Sequence, residues 1–465
     1  MSKQKKMGLV GRLRMDVVNF NASGIDVGSR SHYVAIGQEL DDVREFGVYA
    51  ENLTELCQWL LDSGVTTVAM ESTGDYWQNL YVELISFGFE VVLANGKFTK
   101  NAKGKKTDVK DCRWIQKLHT LGLLTGSFLP DNTTEQLRTF CRQRGNWIGL
   151  AASTTHKMQK YLKLLNFRLD VVVKDVCGLT GMKIIEDICK GNLDPKSLAD
   201  HRHYNCRKPI EEIARALHGN NRTDYLFGLQ QEFECYKFFQ KKIADCDKRI
   251  EHFIKHELKQ HPERSKMKTT EKPHKRINKN APQIKDMNQI AFRYFDGVDL
   301  FAIEGLSHST VLTIMSEIGP DGFYKFGSSK QFTSWLRLAP NNKISGGRIL
   351  SNRIPKGSNR LKIALRQAAN AIGNLKDTHL SDFFRRVAYR KGRHSAVSAT
   401  ARKLAVIIWN MVTKKVEYQP PKQYLFLDQK RKLGLMNRIK KQIDKFELKP
   451  EDLGFTNKLI INNLT

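Results

Sequence analysis

The feature that most constrains this chain is a run of short apolar segments between residues 22 and 94. Segments 22–27, 32–37 and 43–49 are separated by turn residues and are too short for helices, so they predict strands. Residues 51–61 follow with Leu53, Leu56, Trp59 and Leu60 on one helical face. A strand at 65–70, a helix at 76–87 and a strand at 89–94 complete the series. Three strands, a helix, a strand, a helix and a strand is the order of a mixed sheet of the RNase H type.

Acids interrupt this apolar framework at telling places. Asp26 sits inside the first strand, in GIDVGS, where a carboxylate is costly without a partner such as a metal. Glu71 ends the fourth strand, in AMESTG. Asp108 and Asp111, in KKTDVKDC, open a helix at i, i+3 spacing, which sets them one turn apart on one face. Thr107 is placed to cap that helix, and first-turn acids also favour its dipole, so a structural role competes for Asp108. Four acids in this arrangement predict an oxygen cage for Mg²⁺, with Mn²⁺ as a substitute, suited to phosphodiester cleavage.

A second candidate lies in LAPNNKISGGRILSNRIPKGSNR, residues 338–360. Ser345 precedes Gly346 and Gly347, and glycines let backbone come close to a phosphate. Lys343, Arg348, Arg353, Lys356, Asn359 and Arg360 surround it as expected nucleic-acid contacts. A hydroxyl on a flexible loop ringed by cations suits attack on a phosphodiester, because the cations offset charge on the phosphoryl oxygens. A basic surface loop with serine as turn filler is the competing reading, and Ser351 is the alternative nucleophile.

The partner class follows from charge. The chain carries 77 Lys and Arg against 48 Asp and Glu, a formal +29 over 465 residues. Such an excess favours a polyanion, since neutralising phosphates releases counterions. No apolar run reaches membrane-spanning length. The basic N-terminal segment lacks the apolar core of a signal peptide, and the eight cysteines include no CxxC. The expectation is a cytoplasmic protein with reduced thiols. His201, His203 and Cys206 lie close in sequence but match no usual zinc spacing.

The expected domains run in order: a basic arm at 1–21, the catalytic α/β domain at 22–130, and a coiled-coil helical region at 131–258 with inserted short helices. A basic linker at 259–290, a C-terminal helical domain at 291–416 bearing the serine loop, and a basic tail at 417–465 follow. Lys105 and Lys106, in the linker after the fifth strand, are further expected nucleic-acid contacts. Thr133 and Gln136 fit a capping box ahead of one long helix. Leu229, Tyr236, Ile243 and Ile250 recur seven apart in a second, at 224–255, so the two are expected to pack together or against another subunit. Gly305 and Gly319 bracket a short helix in the manner of a helix-hairpin-helix element.

These residues together resemble the DEDD transposases of the insertion sequence 110 family, bridge-RNA-guided recombinases. The acids of GIDVGS, AMESTG and KTDVKDC match its Asp, Glu, Asp, Asp set, and GLSHSTVLTIMSEIG with KISGGRILSNR matches its C-terminal domain. The KISGGRILSNR form resembles the subgroup with a long middle region, and the middle, about 160–290, and the tail after 415 exceed what a compact member needs. The resemblance implies a RuvC-like domain in which Asp26, Glu71, Asp108 and Asp111 bind Mg²⁺, and a nucleophilic Ser345 that forms a phosphoserine with DNA. It also implies a structured guide RNA pairing with donor and target double-stranded DNA, and a dimer or tetramer whose subunits share a composite site. Two rivals remain: a metal-dependent nuclease or junction resolvase that uses water, and a non-catalytic RNA-binding protein.

Overall fold

A computed structural model describes residues 16–72, 74–99, 107–265, 280–357, 359–376, 378–420, 425–448 and 452. Most of the basic arm, Lys105 and Lys106, the centre of the basic linker and the end of the tail lie outside the described residues. The chain forms two compact units, 1–129 and 130–465.

The first unit is the expected mixed sheet with helices on both faces. Its strands are β1 (Ala22–Val27), β2 (Ser31–Ala35), β3 (Val43–Gly47), β4 (Thr67–Glu71) and β5 (Glu90–Ala94). They lie in the order β3-β2-β1-β4-β5. The first three pair antiparallel, while β4 pairs parallel with both β1 and β5. This is the RNase H/RuvC-like order that the alternation of apolar segments predicts.

Strand alternation sorts the side chains onto two faces. Ile25, Val27, Val68 and Met70 bury against Leu53, Leu56 and Leu60 of α1 (Ala50–Asp62) and Leu80 and Leu84 of α2 (Trp77–Ser86). Each such fully buried side chain contributes about 1.5–3 kcal/mol. The opposite face carries α3 (Asp108–Thr120). It approaches β1 so closely at Gly24 that any Cβ there would strike the backbone of Cys112 and Gln116. Gln116 Nε2 donates to the Ala22 carbonyl at 3.2 Å, and Thr67 Oγ1 bonds His119 Nε2 at 2.9 Å, which fixes the helix lengthwise.

The second unit is almost wholly helical. Its core is an antiparallel pair, α4 (Asn132–Leu164) and α5 (Thr223–Lys259). Phe140 meets Phe253 at 5.6 Å, Arg144 pairs with Asp247, and Trp147 stacks on Phe239 at 5.8 Å. The heptad residues Leu229, Tyr236, Ile243 and Ile250 are all buried, so of the two packing modes expected the pair within one chain is seen here. Short helices at Leu169–Val172, Leu179–Cys189, Pro195–Ala199 and Ile210–Arg215 pack onto the same core through Ile184, Ile188 and Ile213.

The start of α4 corrects the expected capping box. Asp131, not Thr133, is the N-cap, and its carboxylate accepts from both the Thr134 N–H (2.8 Å) and the Thr134 hydroxyl (2.7 Å). A carboxylate satisfies two donors at once and favours the helix dipole, so the helix begins earlier than a Thr cap would allow.

Beyond α5 come α6 (Met287–Tyr294), α7 (His308–Glu317), α8 (Ser329–Trp335), α9 (Arg360–Ile372), α10 (His379–Lys414) and α11 (Leu425–Phe446). As expected, Gly305 and Gly319 flank α7, both at positive φ. The long helix α10 consists of two halves. They are separated by a break at Gly392, whose φ of 80° and ψ of 163° only glycine adopts readily. Arg142 forms a bidentate pair with Glu317 of α7 (3.1 and 2.8 Å), and Arg138 reaches the Glu317 carbonyl at 2.8 Å. Among the described residues no helix is long and apolar enough to cross a membrane.

Candidate functional site

The sheet register gathers the acids. Gly24 pairs with Ala69 and Ile25 with Met70, so continuing the parallel pairing sets Asp26 beside Glu71. Both lie at the carboxyl ends of neighbouring parallel strands, where open α/β sheets bind their ligands. Gly24 faces α3, and side chains alternate, so Asp26 faces α3 too. Asp108 is the first residue of α3 and Asp111 lies one turn on. Thr107 is the N-cap, as expected, and its hydroxyl accepts from the Lys110 N–H.

Electrostatics traces the same neighbourhood. Tyr33, the cross-strand partner of Asp26, is held above the usual phenol range, first by its hydrogen bond to Glu45 and, more weakly, by the Asp108 charge. Burial pushes the Cys112 thiol up to about 12, and the Asp26 carboxylate adds to the shift. Asp26 and Asp108 thus act on groups one strand and one helical turn apart.

Glu71 has a partner that the sequence did not announce. Thr99 Oγ1 donates to Glu71 Oε2 at 2.6 Å. The backbone of Gly96 lies against the other carboxylate oxygen, in space that a Cβ would fill. Four carboxylates are hard oxygen donors, the chemistry that Mg²⁺ or Mn²⁺ takes. Among the described residues no three acidic, His or Cys side chains converge on one point, so the donors are neighbours without forming a closed cage.

The second unit carries the serine, and the flexible loop expected there is a β-hairpin. β6 (Lys343–Ser345) and β7 (Arg348–Ser351) pair antiparallel, with Ser345 opposite Arg348. Gly346 and Gly347 form the turn at φ of 54° and 74°. Two successive positive φ values fit the tight turn whose twist matches a hairpin, which is why two glycines order the segment instead of loosening it. Lys343 to Leu350 are exposed, so Ser345 meets solvent with Arg348 as its cross-strand partner. Ser351 is half-buried, and its hydroxyl accepts from the Arg353 N–H at 3.4 Å, which engages it within the chain.

The other expected contacts are scattered around the hairpin base. The Arg353 carbonyl accepts from Asn341 and the Lys356 carbonyl from Arg337. The Asn359 side chain caps α9 by accepting from the Lys362 N–H at 2.9 Å, a structural duty that sequence reasoning assigned to nucleic acid. Arg360 lies against Gly145 of α4. The His201, His203 and Cys206 group disperses into separate contacts: His201 pairs with Asp187 at 2.6 Å, and the His203 ring packs at a tilt against Tyr204, centroids 4.2 Å apart.

Two family models match the chain. The IS110-type DEDD transposase model matches residues 23–167, and the model described as Transposase IS116/IS110/IS902 family matches 299–385. The chain belongs to the IS110 family of DEDD transposases. The first match contains all four acids, and the second contains Ser345 and ends one residue before Arg386. As a member of this family the protein is a DNA transposase, an enzyme that cuts and rejoins DNA, and the family implies a divalent metal. No curated protein matches the chain closely enough to count as a relative.

Proposed function

We propose that this transposase breaks DNA by attack of Ser345 on a phosphodiester, with Asp26, Glu71, Asp108 and Asp111 holding Mg²⁺. The observation that carries the reading is the placement of Ser345 at the mouth of a diglycine turn, exposed and opposite Arg348. In the attack the Ser345 oxygen bonds to phosphorus and the bond from phosphorus to the leaving sugar oxygen breaks. The serine proton leaves to a base and the departing oxygen takes one up. Rejoining reverses these steps with a different sugar hydroxyl and restores the serine. Arg348, with Lys343 and Arg353 nearby, offsets charge on the phosphoryl oxygens. Mg²⁺ bound by the four acids would supply Lewis-acid stabilisation of the attacking and leaving oxygens. The carboxylates' part is to hold hard oxygen ligands at the carboxyl ends of β1 and β4.

Further parts of the reading rest on the family resemblance. A structured RNA encoded by the element pairs with donor and target DNA, and subunits of a dimer or tetramer share the composite site. The domains follow the limits read from the sequence, with catalysis at 22–130 and the serine domain at 291–416.

Adduct trapping tests the chemistry. The protein is incubated with its element's RNA, matching DNA and Mg²⁺, then run on a denaturing gel beside Ser345→Ala and Asp108→Asn. A DNA-linked band in wild type alone supports the proposal. Cleaved DNA without linked protein, persisting in Ser345→Ala, identifies a water-using nuclease and overturns it.

A further inference from the structure

The hairpin that carries Ser345 forms one wall of a groove of about 1140 Å³. Ile349, Asn352 and Arg353 line that wall, and Arg386, Arg402 and Lys403 of α10 line the other. Residues from both halves of α10, on either side of the break at Gly392, contribute. Among the described residues that line it there is no Asp or Glu.

Two of these cations are held in an unusual way. Arg386 Nε is buried without a hydrogen-bond partner among the described residues. Lys403 Nζ contacts His379 Nε2 at 2.6 Å and the Phe383 ring at 4.6 Å, and among the described residues no carboxylate pairs with it. The Arg386 guanidinium lies over the same ring at 5.6 Å. Burial, and secondarily the Arg386 charge, holds the Lys403 ammonium below the usual lysine range. The nearby acids Glu304 and Asp382 act on His379, not on Lys403. Desolvated like charges without a counter-ion are costly unless an anion completes them.

We propose that this groove grips the sugar-phosphate backbone of the DNA strand that Ser345 attacks, with Arg386 and Lys403 clamping a phosphate. The assignment to the attacked strand rests on the serine reading above. It follows from continuity: Ile349 in the groove wall is the cross-strand neighbour of Ile344, one residue from Ser345. Apolar Ile349, Ile354 and Val406 between the cations suit sugar and base surfaces, while a small free anion would need no groove of this length. Arg386, Arg402 and Lys403 all lie beyond the segment that the second family model matches.

The test is fluorescence anisotropy of the full-length protein, at several salt concentrations, with a labelled duplex bearing the element's end and with RNA of the same sequence. Arg386→Gln and Lys403→Met should each weaken DNA binding about tenfold. Each should also lower the salt slope by about one, while RNA binding stays unchanged. Thermal stability should hold or rise, since each change removes a half-buried cation that has no acidic partner among the described residues. The exposed Arg390→Gln, on the same groove, gives the same slope loss without touching the packed core. Unchanged DNA affinity and slope in these variants would overturn the proposal. Equal loss for RNA and DNA would make this an RNA site and overturn the strand assignment. Binding is measured without chemistry, so a missing serine adduct defeats the serine reading and leaves the groove result to stand by itself.

Discussion

Thr99 donates a 2.6 Å hydrogen bond to Glu71, and Thr99 is itself only 6 % exposed. A buried hydroxyl aimed at a carboxylate at the end of a strand fixes that carboxylate's orientation. Outer partners of this kind tune metal ligands by about 10–100-fold. Thr99→Val, which keeps the shape and loses the donor, should weaken Mn²⁺ binding about tenfold by isothermal titration calorimetry, while Thr99→Ser restores it. Equal affinity in Thr99→Val and wild type would show that the bond is only structural.

The hairpin turn makes a prediction of a different kind. Among the described residues nothing lies within 4 Å of a Cβ placed on Gly346 or Gly347, so a substitution there acts through backbone strain. Gly347→Ala, at a φ of 74°, should destabilise the hairpin by about 1 kcal/mol without lowering the melting temperature of the protein. Faster hydrogen exchange across 343–351 and a reduced adduct yield would register it. A large fall in melting temperature would mean that the hairpin is part of the folded core.

The Arg144–Asp247 pair holds α4 to α5 with side chains 7 % and 2 % exposed. Breaking it by Asp247→Asn leaves a buried guanidinium uncompensated and should cost about 3–5 kcal/mol. Arg144→Met combined with Asp247→Leu should recover most of that loss. Denaturant titration of the three proteins decides, and a double variant no better than Asp247→Asn would refute the account.

Burial holds His32 and His119 below the usual histidine range. The unfolded chain binds their protons more readily, near pH 6.5, so their contribution is complete above about pH 6.5 and declines as pH falls toward the depressed folded values. Hydrogen exchange of β1 and β4 should therefore quicken as pH falls below about 6.5, after correction for intrinsic rates. His119→Gln, which can keep a bond to Thr67, should flatten the dependence. An unchanged slope would remove His119 from the explanation.

The sheet was legible because β1 to β5 obey local rules, and Asp26 stood out because it breaks them. The serine segment was read as loose because glycine loosens an isolated chain. Paired at matching φ across a two-residue turn, the same glycines order it. Thr99 carried no pattern, since its meaning depends on β4 ending beside the segment after β5. Arg386 and Lys403 sit fifteen residues and more from any motif that identified the serine loop, and only the fold brings their helix against the hairpin to line one groove.

Glu317 has a mechanical consequence. It is clasped by Arg138 and Arg142 near the root of α4, a helix of 33 residues and therefore about 50 Å long. Joined so, the helix pair is a cantilever with a stiff footing instead of a tethered strut. A load applied at its tip, where the short helices sit, finds little slack at the root and arrives as torque on α7. Whatever engages the tip therefore has a rigid route toward the elements that carry the serine.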